Sequence, residues 1–153
     1  YVRYGGLVFD PKPVQKPHPP IWVGGESNPS MRRAARIGDA WYPIGSNQAH
    51  LLDTLPRLEA GIATLRRLAE AAGRDPASIG TVYRVKRHAH AAPPASDGNR
   101  RLFTGTIEDT IADIAALRRI GVTGLDFDFE GRDADRAVAE MQSFRDQVLA
   151  RVR

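Results

Sequence analysis

Three groups of residues in this chain have the types and spacings that chemistry uses. The first is Gly24-Gly25, which follows the apolar run Ile21-Trp22-Val23 and precedes Asn28-Pro29. Without Cβ atoms, a turn at the carboxyl end of a parallel strand lets backbone N–H groups approach an anion, and a following helix adds its positive dipole end. Ser27 adds a hydroxyl donor, whereas Glu26 carries the wrong sign for a phosphate and is expected to point away. Taken alone, a Gly-Gly turn before a helix serves packing more often than phosphate.

The second group is Asp126, Asp128 and Glu130, which alternate with Leu125, Phe127 and Phe129. Three carboxylates on one strand face suit a metal site or a general acid/base pair. Lone carboxylates facing a closed interior are costly, so a charge ladder to Arg84 and Lys86 of the preceding strand is the favoured reading, with Arg84 expected within salt-bridge distance of Asp126 or Asp128. Glu130, nearest the carboxyl end, is the acid expected to meet substrate. The third group is histidine: His18, His50, and the pair His88 and His90. An HxH on a strand places two imidazoles on one face, as metals use. No partner carboxylate or cysteine is set by spacing, so no metal site is expected and His88 is assigned to the substrate mouth. Trp22, Trp41 and Tyr42 have ring faces that could stack on a cofactor, although strand packing suits Trp22 better.

These residues need elements to position them. Ile21-Trp22-Val23 reads as a strand buried on both faces, Asn28 as the cap of a helix whose first residue is Pro29, Gly38 as its stop, and Ala40-Trp41-Tyr42 as the next strand. Leu58, Ile62, Leu65, Ala69 and Ala72 recur at helical spacing after a Thr54 cap, and Gln48 to Asp53 could add a short turn of helix. Ser78 to His88 reads as a third strand. The loop Ala89 to Arg101, with Pro93-Pro94 and Asp97-Gly98, is long enough for an active-site flap. Thr106 and Asp109 form a capping box for a helix that buries Ile107, Ile111, Ile114 and Leu117. The fourth strand is Gly124 to Glu130, and the last helix, Asp133 to Arg151, is expected to bury Val138, Met141, Phe144 and Val148. The fold class is therefore α/β: four βα units of a parallel sheet, preceded by a short β-hairpin (Tyr1 to Phe9) and a proline-rich connector up to residue 20.

Composition narrows the function classes. The chain has 153 residues, 42% of them hydrophobic, which supports one domain with its own core. Its net charge of +4 is carried mainly by arginines scattered beside acids, without the aromatic interleaving of single-strand binders, so nucleic acid is not an expected partner. There is no cysteine, which excludes disulfides and thiolate metal sites. No stretch approaches the ~20 apolar residues of a membrane span. A cytoplasmic location is the default.

The run Pro11-Lys12-Pro13-Val14-Gln15-Lys16-Pro17-His18-Pro19-Pro20-Ile21-Trp22-Val23-Gly24-Gly25-Glu26-Ser27, followed by Arg32-Arg33-Ala34-Ala35-Arg36-Ile37-Gly38-Asp39-Ala40-Trp41-Tyr42-Pro43, resembles the luciferase-like monooxygenase family, especially members that use coenzyme F420, a 5-deazaflavin. Ala72-Gly73-Arg74-Asp75-Pro76, Phe103-Thr104-Gly105-Thr106 and Gly121-Val122-Thr123-Gly124-Leu125-Asp126 look like the same family in the same order. The resemblance implies a (β/α)8 TIM barrel. A full barrel takes about 250 residues, and residue 1 falls inside what reads as a hairpin, so the chain is expected to be the C-terminal half. It further implies that Gly24 and Gly25 hold the cofactor's phosphate through main-chain N–H groups, and that the small-molecule substrate exchanges hydride with F420. The alternatives are an FMN-dependent monooxygenase of the same fold and a non-catalytic member that binds flavin or supports a dimer. A homodimer is expected of the full-length protein. The ring-binding residues of the family belong to the other half, so no catalytic acid or base is assigned. Alone, a half barrel has two unpaired sheet edges and is expected to be inactive and to associate.

Overall fold

The computed structural model describes residues 3, 5, 6, 8, 10–86, 88–129 and 133–152. Five residues of the expected hairpin (Tyr1, Val2, Tyr4, Leu7 and Phe9) and the candidate acid Glu130 lie outside the described residues. The elements run β1 (Trp22–Gly24), α1 (Asn28–Ile37), β2 (Ala40–Tyr42), α2 (Leu55–Ala71), β3 (Gly80–Val85), α3 (Ile107–Ile120), β4 (Gly124–Phe127) and α4 (Ala134–Gln147), with single 3₁₀ turns at Pro76–Ser78 and Leu149–Arg151. The sheet order is β1-β2-β3-β4 and every pairing is parallel. This is the α/β alternation expected of half a (β/α)8 barrel.

Register decides which residues can form a site. Trp22 is level with Ala40 and Ala40 with Gly80; Arg84 is level with Asp126. By the two-residue period of a strand, Trp22, Tyr42, Val82, Arg84 and Asp126 share one face, while Val23, Trp41, Tyr83, Val85, Leu125 and Phe127 share the other. The second set is the helix-covered face: Trp41 is fully buried, and Tyr83 and Val85 join Leu58, Ile62, Leu65 and Leu117 in one core. The first set faces what would be the barrel interior. There Trp22 is 55% exposed. The expectation that β1 is buried on both faces is therefore corrected: only its Val23 side is covered within this chain.

Helix boundaries follow local chemistry with a few shifts. Ser27, not Asn28, caps α1; its Oγ accepts from Ser30 N–H at 3.4 Å, and Asn28 is the first helical residue with Pro29 second. The Thr106–Asp109 capping box is present in both directions, and Gly121 closes α3 in the left-handed region. Along α2 the stripe Leu58, Ile62, Leu65 and Ala69 is buried, but Ala72 is exposed at the cap. Gln48 to Asp53 forms turns, not a helix. The α3 stripe is rotated: Thr110, Asp113, Ala116 and Leu117 are buried, and Ile107, Ile111 and Ile114 only partly so. Phe144 in α4 and Val148 at its C-cap are buried, whereas Val138 and Met141 are 49% and 50% exposed. Both shifts concern the last two helices, beside the open β4 edge, where apolar side chains meet no further layer of this chain.

Leu58→Ala removes a fully buried side chain and is expected to cost about 2–5 kcal/mol of stability. Ala72→Ser, on the same stripe but in solvent, is expected to stay within about 0.5 kcal/mol. Urea unfolding of the two variants measures this, and equal losses would contradict the placement of the α2 stripe.

Candidate functional site

The turn after β1 is built on a glycine that no other residue replaces without strain. Gly25 has φ +100°, and a Cβ there would lie 2.8 Å from Ser30 Oγ. Its carbonyl accepts the indole N–H of Trp41 at 2.8 Å. A trans peptide sets C=O and the next N–H on opposite sides, so this bond turns the Glu26 N–H away from Trp41 and the core. The amides of Gly25, Glu26 and Ser27 make no backbone hydrogen bond among the described residues. They precede the N-terminus of a ten-residue helix. The arrangement is a glycine corner, flanked by the Ser30 side chain, that presents donors and the positive end of a dipole. Gly24 is exposed, and a Cβ on it would come no nearer than 3.7 Å to Tyr42 O. Ser27 Oγ is committed to the cap and lies 3.0 Å from Ser30 Oγ.

Glu26 does turn aside, and it does so to a purpose that composition did not disclose. Its carboxylate is buried and accepts from Ile44 N–H at 2.5 Å and Asn47 Nδ2 at 2.6 Å. The glycine turn is thereby tied to the loop that follows β2.

On the interior face the Arg84 half of the expected ladder forms, whereas Lys86 pairs with neither Asp126 nor Asp128. Arg84 donates to both carboxylate oxygens of Asp128 at 2.8 Å, and its Nε reaches the same group at 3.3 Å. The bidentate contact raises the Arg84 pKa still further, with the Asp128 hydrogen bond as its main cause. Asp126 is taken by a residue the sequence did not single out as its partner: the Tyr42 hydroxyl donates to it. Desolvation, followed by the Asp126 bond, pushes the Tyr42 phenol pKa up. Trp22 and Tyr42 stand side by side with ring centroids 5.8 Å apart. Of the three aromatics considered for stacking, Trp41 is spent on the core, and Trp22, expected to pack, is the exposed one.

His88 and His90 do not share the interior face. β3 ends at Val85, and beyond it the alternation stops. The His88 ring lies edge-on to Phe144, Phe129 and Phe127 at 4.8, 5.8 and 5.9 Å, on the helix side and away from Arg84. Among the described residues no three His, Asp or Glu side chains are grouped to hold a metal.

The loop between β3 and α3 is latched from both sides. Asp97 accepts from Thr54 Oγ1 at 2.8 Å and pairs with Arg57 at 3.1 Å; Asp53 bridges Arg57 and Arg101. On the other flank, buried Asp113 binds Arg100 at 2.5 and 3.0 Å and the Phe103 N–H at 2.6 Å. Phe103 has φ +62° and Ala89 φ +48°, conformations that cost a non-glycine residue about 1–3 kcal/mol each. The Asp113 carboxylate is what holds Phe103 in that state. Asp113 and Glu26 were legible only as polar residues beside apolar ones; no motif marks a clamp.

Comparison with known proteins agrees with the fold. The sequence profile described as "Luciferase-like monooxygenase" matches residues 2–97. The FMNH2-dependent dimethylsulfone monooxygenase of Pseudomonas putida is 38% identical over 47 residues, 31% of this chain and 13% of that protein. The coenzyme F420-dependent tetrahydromethanopterin reductase of Methanopyrus kandleri superposes with a TM-score of 0.61 at 13% identity, over 88% of this chain and 51% of its own. A monooxygenase of Streptomyces bottropensis superposes with a TM-score of 0.61 at 18% identity, over 98% of this chain and 53% of its own. These likenesses at low identity establish the fold. The chain spans about half the length of the solved structures and a smaller share of the sulfone monooxygenase.

Burial among the rings holds the His88 imidazole below its ordinary 6.5; Glu140 opposes this and His90 adds to it. The unfolded chain protonates this ring first as pH falls. Stability from the neutral ring is therefore complete above about pH 6.5 and declines below it, towards the lower folded value. Thermal melts between about pH 8 and pH 5 are expected to show a fall in Tm that His88→Phe largely removes. A slope unchanged in that variant would show that the ring does not titrate in this way.

Proposed function

Because the chain belongs to the luciferase-like monooxygenase family, we propose that it is the carboxyl-terminal half of a (β/α)8-barrel oxidoreductase whose Gly24-Gly25 turn holds a cofactor phosphate. The observation that carries this reading is the turn itself: Gly25 at φ +100°, its carbonyl fixed by Trp41 and the following amides unpaired by backbone. An anion there meets N–H groups and a helix dipole beside the Ser30 hydroxyl. The amides of Gly25 and Glu26 and the hydroxyl of Ser27 are the donors assigned to it. The cofactor is read as F420, with FMN as the second reading. Solved neighbours include F420-dependent enzymes, and the sulfone monooxygenase uses FMNH2.

When bound, the deazaflavin supplies hydride chemistry at C5 toward a small organic substrate such as an alcohol, and reduced FMN supplies the electrons of a monooxygenase. The work of this chain is to fix the tail and orient the cofactor. Trp22, exposed on the interior face beside Tyr42, gives the interior an aromatic wall. The Arg84–Asp128 ion pair and the Tyr42–Asp126 hydrogen bond occupy these two carboxylates, so neither is assigned to proton transfer. Glu130 remains the substrate-side assignment of this reading, from its position in the sequence just beyond β4; His88, whose ring packs against Phe144 on the helix side, is not retained. The open edges of β1 and β4 accept the other half of the barrel, and the assembled protein is read as a homodimer.

Fluorescence quenching with the chain joined to an amino-terminal half, titrated with F420 and with FMN, tests both levels. Gly25→Asp places a charged side chain at the anion and is expected to weaken either cofactor by more than about tenfold, roughly 1.4 kcal/mol. Unchanged affinity removes the phosphate role, and preference for FMN overturns the F420 assignment. Without the second half, light scattering is expected to show an associated chain; a monodisperse, cooperatively melting monomer contradicts the half-barrel reading.

A further inference from the structure

The large apolar side chains left bare on this chain are not scattered. Among the described residues they fall in three places: Val8 and Val14 in the arm before β1, Ile21, Trp22 and Ile37 on the β1 side of the sheet, and Val138, Met141 and Leu149 beyond β4. None of them lies on β2, β3, α2 or α3. The two outer strands, β1 and β4, are the ones with an unpaired edge among the described residues. The chain exposes 10148 Å², about a third more than the ~7,700 Å² of a compact monomer of its mass, 16.8 kDa. The arm takes a share of that surplus and the two open edges another. Each partner of an obligate dimer buries about 1,000–2,500 Å², a quantity of the same order.

The two edges differ in a way that makes them fit each other. Ile21 and Trp22 are neighbours in sequence, so the pleat sends Trp22 inward and Ile21 outward, to the level of the helices. At the other edge, Phe127 and Phe129 pack against Phe144 of α4, and Met141 and Leu149 line an apolar groove of about 380 Å³ with them. Helix α1 packs on both β1 and β2, the strands it connects. By the same right-handed step α4 leaves β4 toward the place of a fifth strand. A strand there brings its outward residue, such as Ile21, under Val138, Met141 and Leu149. On the inner side a trough of about 640 Å³ runs past Ala40, Gly80 and Gly124 beside Trp22. These small residues leave room for a large side chain, and Trp22 is a large one left exposed on that face.

We propose that two copies of this chain close on each other into one eight-stranded barrel, each β4 edge pairing in parallel with the β1 edge of the other copy. A two-fold axis along the barrel axis keeps every strand parallel and makes two identical seams, so no edge remains. One chain carries both sides of the seam, and a second copy therefore satisfies both edges at once and leaves no place for a third. The two interior faces, each with its Trp22 and Tyr42, then look at one another, and the two glycine turns stand on opposite walls of one mouth. The inference rests on the half-barrel reading and goes beyond it, because a second copy takes the place of the amino-terminal half. It does not depend on the phosphate reading at Gly24-Gly25.

Sedimentation equilibrium of the chain alone, without any flavin, is the test, and a single species of twice 16.8 kDa is expected. The chain has two tryptophans and Trp41 is fully buried, so acrylamide quenching reports Trp22. Protection of Trp22 is expected in the dimer and is lost on dilution. Ile21→Lys charges the β1 side of the seam, and the double variant Val138→Lys/Met141→Lys charges the β4 side. Each is expected to halve the mass and to expose Trp22 while the far-UV circular dichroism stays the same. Ala63→Lys, exposed on α2 away from both edges, adds the same charge and is expected to leave the dimer intact. A dimer that survives either edge variant, or loses its partner with Ala63→Lys as well, overturns the proposal. Open-ended oligomers of the unaltered chain overturn the closed pair alone and leave the half-barrel reading standing, whereas a stable monomer overturns both.

Discussion

The hydrogen bond from the Trp41 indole to the Gly25 carbonyl is the constraint on which the rest of the site depends. Trp41 is fully buried under α1 and α2, and a buried indole N–H needs an acceptor. The acceptor it finds belongs to the turn, so core packing and turn geometry become one requirement. The bond runs from β2 to the end of β1 and dictates which way the peptide plane faces. The hydrophobic effect that buries the ring therefore also aims the amides outward. Without that bond the corner has no reason to present its donors on the side where the strands end.

Around this corner the carboxylates act as ties. Glu26 joins the glycine turn to the loop after β2; Asp53 and Asp97 join α2 to the loop after β3; Asp113 joins α3 to that same loop. Each is placed where backbone N–H groups or guanidinium groups would otherwise be unsatisfied. On the interior face Asp126 and Asp128 are occupied in the same way by Tyr42 and Arg84. Acid residues at the rim of a parallel barrel invite a catalytic reading, yet those described here are engaged in holding loops and strands. Among the described residues, the amides of Gly25, Glu26 and Ser27 are left by this network without a backbone partner.

Much of the architecture was legible in the residues. Period-two alternation in Gly124 to Phe127 and Val82 to Val85 placed Arg84 opposite the acids, because register and pleat leave little freedom once the sheet is parallel. Capping by Thr106 and Asp109 is local chemistry and came through intact. What failed depended on neighbours distant in sequence. Trp22 looks like core by type, but its burial waits on strands that this chain does not contain. Val138 and Met141 carry the helical period and remain in solvent for the same reason. His88 alternates correctly with Arg84 on paper, but β3 ends at Val85 and the ring turns to the phenylalanines. Glu26 and Asp113 bear no signature because a clamp is defined by where two loops meet.

The order of strands across the sheet is also the order of their synthesis. Within this sheet β2, β3 and β4 each pair with the strand made just before, so a template is already present when the next segment leaves the ribosome. In such a chain β4 is the growing front, and the aromatic cluster around Phe127 and Phe144 is the last part of the core to close. Assembly proceeds like a row laid from one end, which makes the boundary beyond β4 a natural place for a barrel to be joined to another piece.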